Sequence, residues 1–341
     1  MSEKLLARSR ALTHPLGVKF TTPLLVPSFS SRGFPLMQSG KSWVARALET
    51  TSEWLTDTML ISAYDIFHKQ IPSPTKLKCT PELTLLDSGG YEAGVDEDLS
   101  SVVVKKHRPK AWSPKNLKAV LDQWPERFAA VFVSYDHPSR RVSLSVQIRE
   151  AKELFERYPK QMHSILLKPE GTTQRHVGGV LAKVIARPKM LTGFDIIGVT
   201  EKELGDSLLD RMERIAELRL ALDQDGNTAP IQVFGALDPL SSCLYFVSGA
   251  EIFDGLTWLR YAYLDGLCVY RANYGAMAIG LNLRDLLVEA KTMADNVNYL
   301  RRMELSMRRV ALDNKIGHFS HHVELIRRGF DDLRARLEGR I

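Results

Sequence analysis

The sequence predicts a (β/α)8 barrel followed by a helical C-terminal extension, and three observations predict it. Eight short runs rich in Val, Ile, Leu and Phe each end in polar or glycine residues. Amphipathic segments of helix length separate them. The starts of the runs lie about 32 residues apart, close to one βα unit each.

The runs are Leu24–Phe29, Met59–Asp65, Leu83–Gly90, Ala129–Asp136, His163–Pro169, Asp195–Thr200, Ile231–Leu237 and Glu251–Leu256. Continuous rather than alternating apolar character marks strands buried on both faces, as in a parallel sheet covered by helices. Between them, Lys41–Leu55, Asn116–Trp124, Val146–Arg157 and Leu208–Leu222 place apolar residues three and four apart, the pattern of an outer ring of helices. An open doubly wound sheet is the competing architecture. Eight strands with no glycine-rich phosphate fingerprint after the first favour the closed barrel. The chain of 341 residues accommodates a barrel of about 250 with an appendage. The expected division is a catalytic barrel over 1–265 and a basic helical extension over 266–341, helical from about Leu281. The third connection, Tyr91 to Arg127, is also longer than a barrel needs. It carries Lys105, Lys106, His107, Arg108, Lys110, Lys115 and Lys118, as a lid or substrate clamp at the rim would.

Composition narrows the classes. With 44% hydrophobic and 25% charged residues, the chain reads as a folded globular protein rather than a disordered or fibrous one. Three widely spaced cysteines, Cys79, Cys243 and Cys268, argue against a disulfide framework and for a reducing, cytoplasmic setting. No signal-peptide pattern and no run of about eighteen apolar residues occurs, so neither secretion nor membrane insertion is expected. The net charge is +6. Residues 301–341 hold ten Lys/Arg against six Asp/Glu, so four of those six charges sit in the tail. A polyanionic partner and a solvated helical face both fit that asymmetry. Arg301 and Arg302 recur seven residues later as Arg308 and Arg309, on nearly the same helical face.

Barrel enzymes build their sites from the carboxyl-terminal ends of strands. That rule nominates Asp65, Asp87 with Ser88, Gly89 and Gly90, Asp136, Lys168, Glu170, Thr200, Gly235 and Asp254. A single aspartate there reads as a helix cap as readily as a functional group. Three of them, Asp87, Asp136 and Asp254, at the exits of strands three, four and eight, favour a site. Gly89 and Gly90 form either a plain turn or a place where a flat ligand approaches the backbone, with Tyr91 supplying an aromatic face.

These residues carry a family resemblance. Thr22-Pro23-Leu24-Leu25-Val26-Pro27, Leu60-Ile61-Ser62-Ala63-Tyr64-Asp65, Leu86-Asp87-Ser88-Gly89-Gly90-Tyr91 and Ile252-Phe253-Asp254 with Arg260 resemble, in order, blocks of the tRNA-guanine transglycosylase superfamily. Gly198-Val199-Thr200 with Glu203, and Val233-Phe234-Gly235, are similar to two weaker blocks. The likeness runs from about residue 15 to 265. It implies exchange of guanine for a 7-deazaguanine in nucleic acid. Asp254 would be the nucleophile that traps C1′ as the glycosidic bond breaks, and Asp87 the group that manages protons on the bases. Asp136 would read the donor edge of the ring. Tyr91 and Phe234 would stack on it or serve as core. Glu203 would reach the 7-substituent, and the target nucleotide would leave its stack.

The chain departs from the family in three places. The Cys-x-Cys-x-x-Cys and histidine of the family's structural zinc are missing. Cys268 stands alone, and His318, His321 and His322 read as helix-surface or phosphate-contacting residues, so no metal is expected. Lys168-Pro169-Glu170-Gly171 replaces the Gln-Gly-Gly after strand five. Tyr263 stands where the tRNA enzymes carry a further arginine. Together these favour the DNA-modifying branch, the DpdA-type 7-deazaguanine transglycosylases, acting on a preQ0-like base without a diffusible cofactor. Arg260, Lys105, Lys106, Arg108, Arg301, Arg302, Arg308 and Arg309 are then the expected phosphate contacts. A zinc-less tRNA-guanine transglycosylase, and a non-catalytic barrel that binds nucleic acid or partners an active subunit, are the alternatives.

Overall fold

The computed structural model describes residues 5–37, 40, 42–95, 99–100, 107–171 and 175–338. Eight parallel strands close into a barrel: β1 (Leu24–Phe29), β2 (Thr58–Ser62), β3 (Leu83–Asp87), β4 (Ala130–Val133), β5 (Met162–Leu166), β6 (Ile196–Thr200), β7 (Ile231–Phe234) and β8 (Ile252–Gly255). Each pairs with its successor, and β8 returns to β1 with Asp254 opposite Val26. The architecture is the (β/α)8 barrel that the sequence predicts, but several strands end before the apolar pattern does. Ala63–Phe67 turns into a short helix, so Asp65 is helical rather than a strand end. β4 stops at Val133, three residues short of Asp136.

The outer helices begin where the sequence supplies caps. Ser42 accepts from the Val44 N–H at the start of Trp43–Thr51, and Ser207 with Asp210 forms a capping box for Leu208–Gln224. Asp238 accepts from the N–H groups of Leu240 and Ser241 ahead of Pro239–Val247. After β8 the chain makes a short hairpin, Ala262–Leu264 with Leu267–Val269, and then the helices Arg271–Ala278, Asp285–Asp313 and Val323–Arg336. The long helix lies along β1, where Glu304 accepts from the Leu25 N–H at 3.3 Å. Its Met293, Val297, Leu300, Met303 and Met307 join the apolar cluster of the barrel helices, so the core is continuous across residue 265. At about 1.5–3 kcal/mol per fully buried large apolar side chain, this packing holds the tail in place.

Inside the barrel, Val26, Leu85, Val131, Val133, Ile196 and Ile252 form a second, packed cluster. Its amino-terminal end is closed by the hairpin Ala11–Thr13 with Lys19–Thr21, from which Val18 and Phe20 pack against it. The carboxyl-terminal end is left to form a site. Two expected phosphate contacts lie at the closed end instead. Arg301 donates to the Trp54 carbonyl and pairs with Asp57 at 3.5 Å, while Arg308 donates to the Thr21 carbonyl. These partners precede β2 and β1, so the length of the strands separates both arginines from the barrel mouth; the helix register that sets them on one face also points that face at the barrel's base. No helix among the described residues is long and apolar enough to cross a membrane.

Candidate active site

The three aspartates singled out by the strand-end rule line one cavity at the carboxyl-terminal mouth, together with Gly90, Tyr91, Lys168, Glu203, Phe234 and Gly235. Its volume is about 120 Å³. At roughly 10–15 Å³ per enclosed water, that is room for on the order of ten non-hydrogen atoms, about the size of a purine.

Asp254 enters from β8 and is held on both sides. Its Oδ2 accepts from Gln232 Nε2 at 2.8 Å and its Oδ1 from the Ser28 hydroxyl at 3.2 Å. Burial pushes its carboxyl up to about 7; Gln232, Ser28 and the Gly235 N–H pull the other way, and the neighbouring Asp87 charge adds to the rise. Asp87 closes β3 and accepts from the Gly89 N–H at 3.0 Å. It too is pushed up to about 7, first by burial and then by Glu92 and Asp136, against the opposing Gly89 N–H and Lys168.

Asp136 has the opposite balance. Burial alone would raise it, but Lys168 and Arg141, 3.5 and 3.6 Å from its Oδ2, bring it below its usual value with help from the Ser88 hydroxyl at 2.7 Å. Of these three aspartates, one is held in the ionised state and two are pushed up to about 7. Opposite shifts of this kind are what acid–base chemistry requires of neighbouring carboxyls.

The glycines explain how the carboxylates come so close. Gly89 sits at φ +87°, and a Cβ on it would meet Tyr64 Cβ at 2.5 Å. A Cβ on Gly90 would fall 2.0 Å from Asp136 Oδ1. One on Gly198 would strike Phe234 Cε2 at 2.6 Å, so Gly198 makes room for the Phe234 ring. Phe234 belongs to the inner cluster and also lines the cavity, so its core and stacking readings coexist. Tyr91 lines the cavity with the Arg32 guanidinium 4.3 Å from its ring centre and its hydroxyl 3.1 Å from Arg260.

The chain matches no protein-family model and no curated protein. Any assignment of activity has to come from this geometry.

Several of the expected site residues take other positions or partners. Glu203 lines the cavity but is bound by Lys168 at 3.0 Å and Arg141 at 3.2 Å, and Lys168 also reaches Thr200 at 2.7 Å. Glu170 turns away to Lys183 and to the Leu144 N–H. Arg260 is a rim residue tied to Tyr91 and Ser100. Arg302 and Arg309 are exposed on the tail. Arg108 is exposed on the third connection, whose neighbouring residues anchor over the β2 and β3 exits: Lys110 N–H to the Tyr64 hydroxyl at 2.6 Å, Trp112 Nε1 to the Ser88 carbonyl at 2.9 Å. Lys105 and Lys106 lie outside the described residues. Among the described residues no three His, Cys, Asp or Glu side chains form a metal-holding group; His318 pairs with Asp313.

Sequence reasoning missed several polar residues that line or support the cavity. Arg32, Glu92 and Arg141 line the cavity, and Ser28 and Gln232 hold Asp254. Glu92 adjoins the motif at Tyr91 and was findable. It is buried, accepts from Ser62 at 2.8 Å, and is pushed up to about 7 by burial and then by Asp65. Gln232 carried a signal as well, because it shares inward parity with Phe234 in an otherwise apolar strand. Arg32 and Arg141 lie in loops whose course only the folded chain reveals.

Proposed function

We propose that this cavity exchanges a guanine base in DNA for a 7-deazaguanine of the preQ0 type, through a covalent bond between Asp254 and C1′. The observation that carries the reading is the convergence of Asp87, Asp136 and Asp254 on one purine-sized cavity beside Tyr91 and Phe234.

In the first half-reaction an Asp254 carboxylate oxygen forms a bond to C1′ as the N-glycosidic bond breaks. The leaving guanine takes its proton from the Asp87 carboxyl. In the second, Asp87 accepts the proton of the incoming base, whose ring nitrogen attacks C1′ and releases Asp254. With both groups pushed to about 7, the pair has a proton to give and a carboxylate to attack with near neutral pH. Asp136, kept ionised by Lys168 and Arg141, accepts from the donor edge of a guanine-like ring. Because Glu203 is already paired with the same two cations, it offers no unpaired charge to a cationic 7-substituent, which suits an uncharged one.

Phosphate contacts in this reading come from the third connection, around Arg108 and Lys110, and not from Arg301 or Arg308. The test is labelled-guanine exchange run in parallel on duplex DNA and bulk tRNA, with denaturing gels for a base-stimulated protein–nucleic acid adduct. Exchange and adduct on DNA are expected. Exchange into tRNA alone reassigns the substrate, and absence of both on every nucleic acid leaves a binding barrel.

A further inference from the structure

Four charged side chains on one wall of the cavity hold one another: Asp136, Arg141, Lys168 and Glu203. Their hydrogen bonds nearly close. Glu203 Oε1 accepts from Arg141 Nη2 at 3.2 Å and its Oε2 from Lys168 Nζ at 3.0 Å. Lys168 Nζ also donates to the Thr200 hydroxyl at 2.7 Å, and Asp136 Oδ1 accepts from the Ser88 hydroxyl at 2.7 Å.

One donor is left over. Arg141 Nη1 is buried and makes no hydrogen bond among the described residues. It lies 3.6 Å from Asp136 Oδ2, near enough for charges to attract and too far for a hydrogen bond. A guanidinium cannot shed its proton, so a buried N–H of this kind without an acceptor is costly. Nor is the side chain slack. It is 11% exposed, its Nη2 is tied to Glu203, and the Arg141 carbonyl accepts from the Gly171 N–H at 3.2 Å.

A flat ligand in this cavity meets the unused donor beside an acceptor. The ionised Asp136 only accepts, and Arg141 only donates. A ring edge that satisfies both carries a donor and, at the neighbouring position, an acceptor. Guanine and 7-deazaguanines present that order, N1–H next to O6. Adenine presents the reverse, a bare N1 next to an amino group, which sets donor against Arg141 and acceptor against Asp136.

We propose that Arg141 selects the oxygen at position 6 of the base: with Asp136 on N1–H, Nη1 donates to O6, and the cavity takes 6-oxopurines and their 7-deaza analogues while rejecting 6-aminopurines. The inference rests on the placement of Asp136 at the donor edge under the function proposed above and adds the residue that reads the other half of that edge. Arg141 belongs to the loop between β4 and the helix Leu144–Phe155, beyond the reach of a rule that inspects strand ends.

Calorimetric titration of the full chain with guanine and with 6-thioguanine tests it, in the wild type and in Arg141→Met. Both bases offer the same N1–H and amino group to Asp136, so any disturbance of Asp136 weakens both and cancels in their ratio. Only the acceptor at position 6 differs, sulfur being the weaker. The wild type is expected to bind guanine roughly tenfold or more tightly than 6-thioguanine, and Arg141→Met to bring the two within about threefold. Should Arg141→Met lose the wild-type circular dichroism, Arg141→Lys carries the comparison, because it keeps the charge without the second nitrogen of the fork and its ratio is expected to fall as well. A ratio that the variant leaves unchanged while both affinities drop together overturns the inference and leaves the base site standing. So does a wild type that binds adenine as tightly as guanine. A wild type that binds none of these bases overturns the base-exchange reading, and the inference with it.

Discussion

Gln232 donates to Asp254 at 2.8 Å from inside the barrel wall while its own carbonyl oxygen, fully buried, has no hydrogen-bond partner. Leaving a buried acceptor unsatisfied costs about 1–3 kcal/mol. That cost falls on a residue whose other end holds the central carboxylate. Ser28 lines the cavity and Gln232 does not, so Oδ1 is held from the cavity side and Oδ2 from the barrel interior. Gln232→Leu removes a hydrogen bond that favours the ionised form, so Asp254 is expected to titrate higher than in the wild type. Carbon-13 NMR of the aspartate carboxyls reads this directly. Adduct formation should fall at neutral pH and recover in alkaline buffer, and an unshifted titration would rule the role out.

Removing the Asp254 and Asp87 carboxyls should separate their roles. Asp254→Asn is expected to abolish the denaturation-resistant adduct with folding intact. Asp87→Asn should keep a cavity able to bind the base but slow exchange by about 10²–10⁴, the usual contribution of a positioned acid–base group. Base binding by calorimetry and exchange kinetics distinguish the two. Equal loss of binding in both would contradict the assignment.

Stability should fall as pH rises toward neutrality. Asp65 is pushed up to about 6, and Asp87, Glu92 and Asp254 to about 7, each first by burial. Folded protein therefore binds more protons than unfolded chain between the unfolded carboxyl range near 4 and the folded values near 7, and the sign of the linkage makes stability decrease across that window. Glu92→Gln removes one such group while leaving an acceptor for Ser62. It is expected to stabilise the protein by on the order of 1–2 kcal/mol at about pH 8 and to do little near pH 4, as thermal unfolding at both values will show.

Gly90 touches Asp136 more closely than any side chain could. Gly90→Ala puts a methyl group 2.0 Å from Asp136 Oδ1. The carboxylate must move away from Lys168 and Ser88, so base affinity should drop at least tenfold, with destabilisation of about 1–3 kcal/mol. Calorimetric titration with guanine is the measurement, and unchanged affinity would show that Asp136 does not contact the base.

The basic residues should divide by end of the barrel. Arg108→Ala with Lys110→Ala is expected to weaken DNA binding and lower its salt dependence by about one to two counterions. Arg301→Ala, at the closed end, should leave both unchanged. Binding isotherms at several salt concentrations decide between the two locations.

The barrel was legible because its strands are predominantly apolar, a pattern that burial on both faces explains; each of the eight runs overlaps a strand. The strand ends were less so. Apolar character continues through Ala63 and Tyr64, although the backbone there has already turned into a helix whose side chains are equally buried. Heptad recurrence placed Arg301 and Arg308 on one face, yet periodicity fixes a face and not what it faces. Docking of the long helix along β1 decided that.

By itself the sequence determined the eight-stranded barrel, the helical tail and the strand-end aspartates, because these follow from local patterns of burial and from the rule that barrel sites form where strands end. Tertiary structure alone decided the rest. It set Asp136 apart from Asp87 and Asp254 by bringing Lys168 and Arg141 within ion-pair distance of one carboxylate, while at the other two burial and like charges outweigh the hydrogen bonds. Protonation in a buried site depends on charges and dipoles within a few ångströms, and those neighbours come from the ends of several different strands, whose relative placement only the closed barrel fixes.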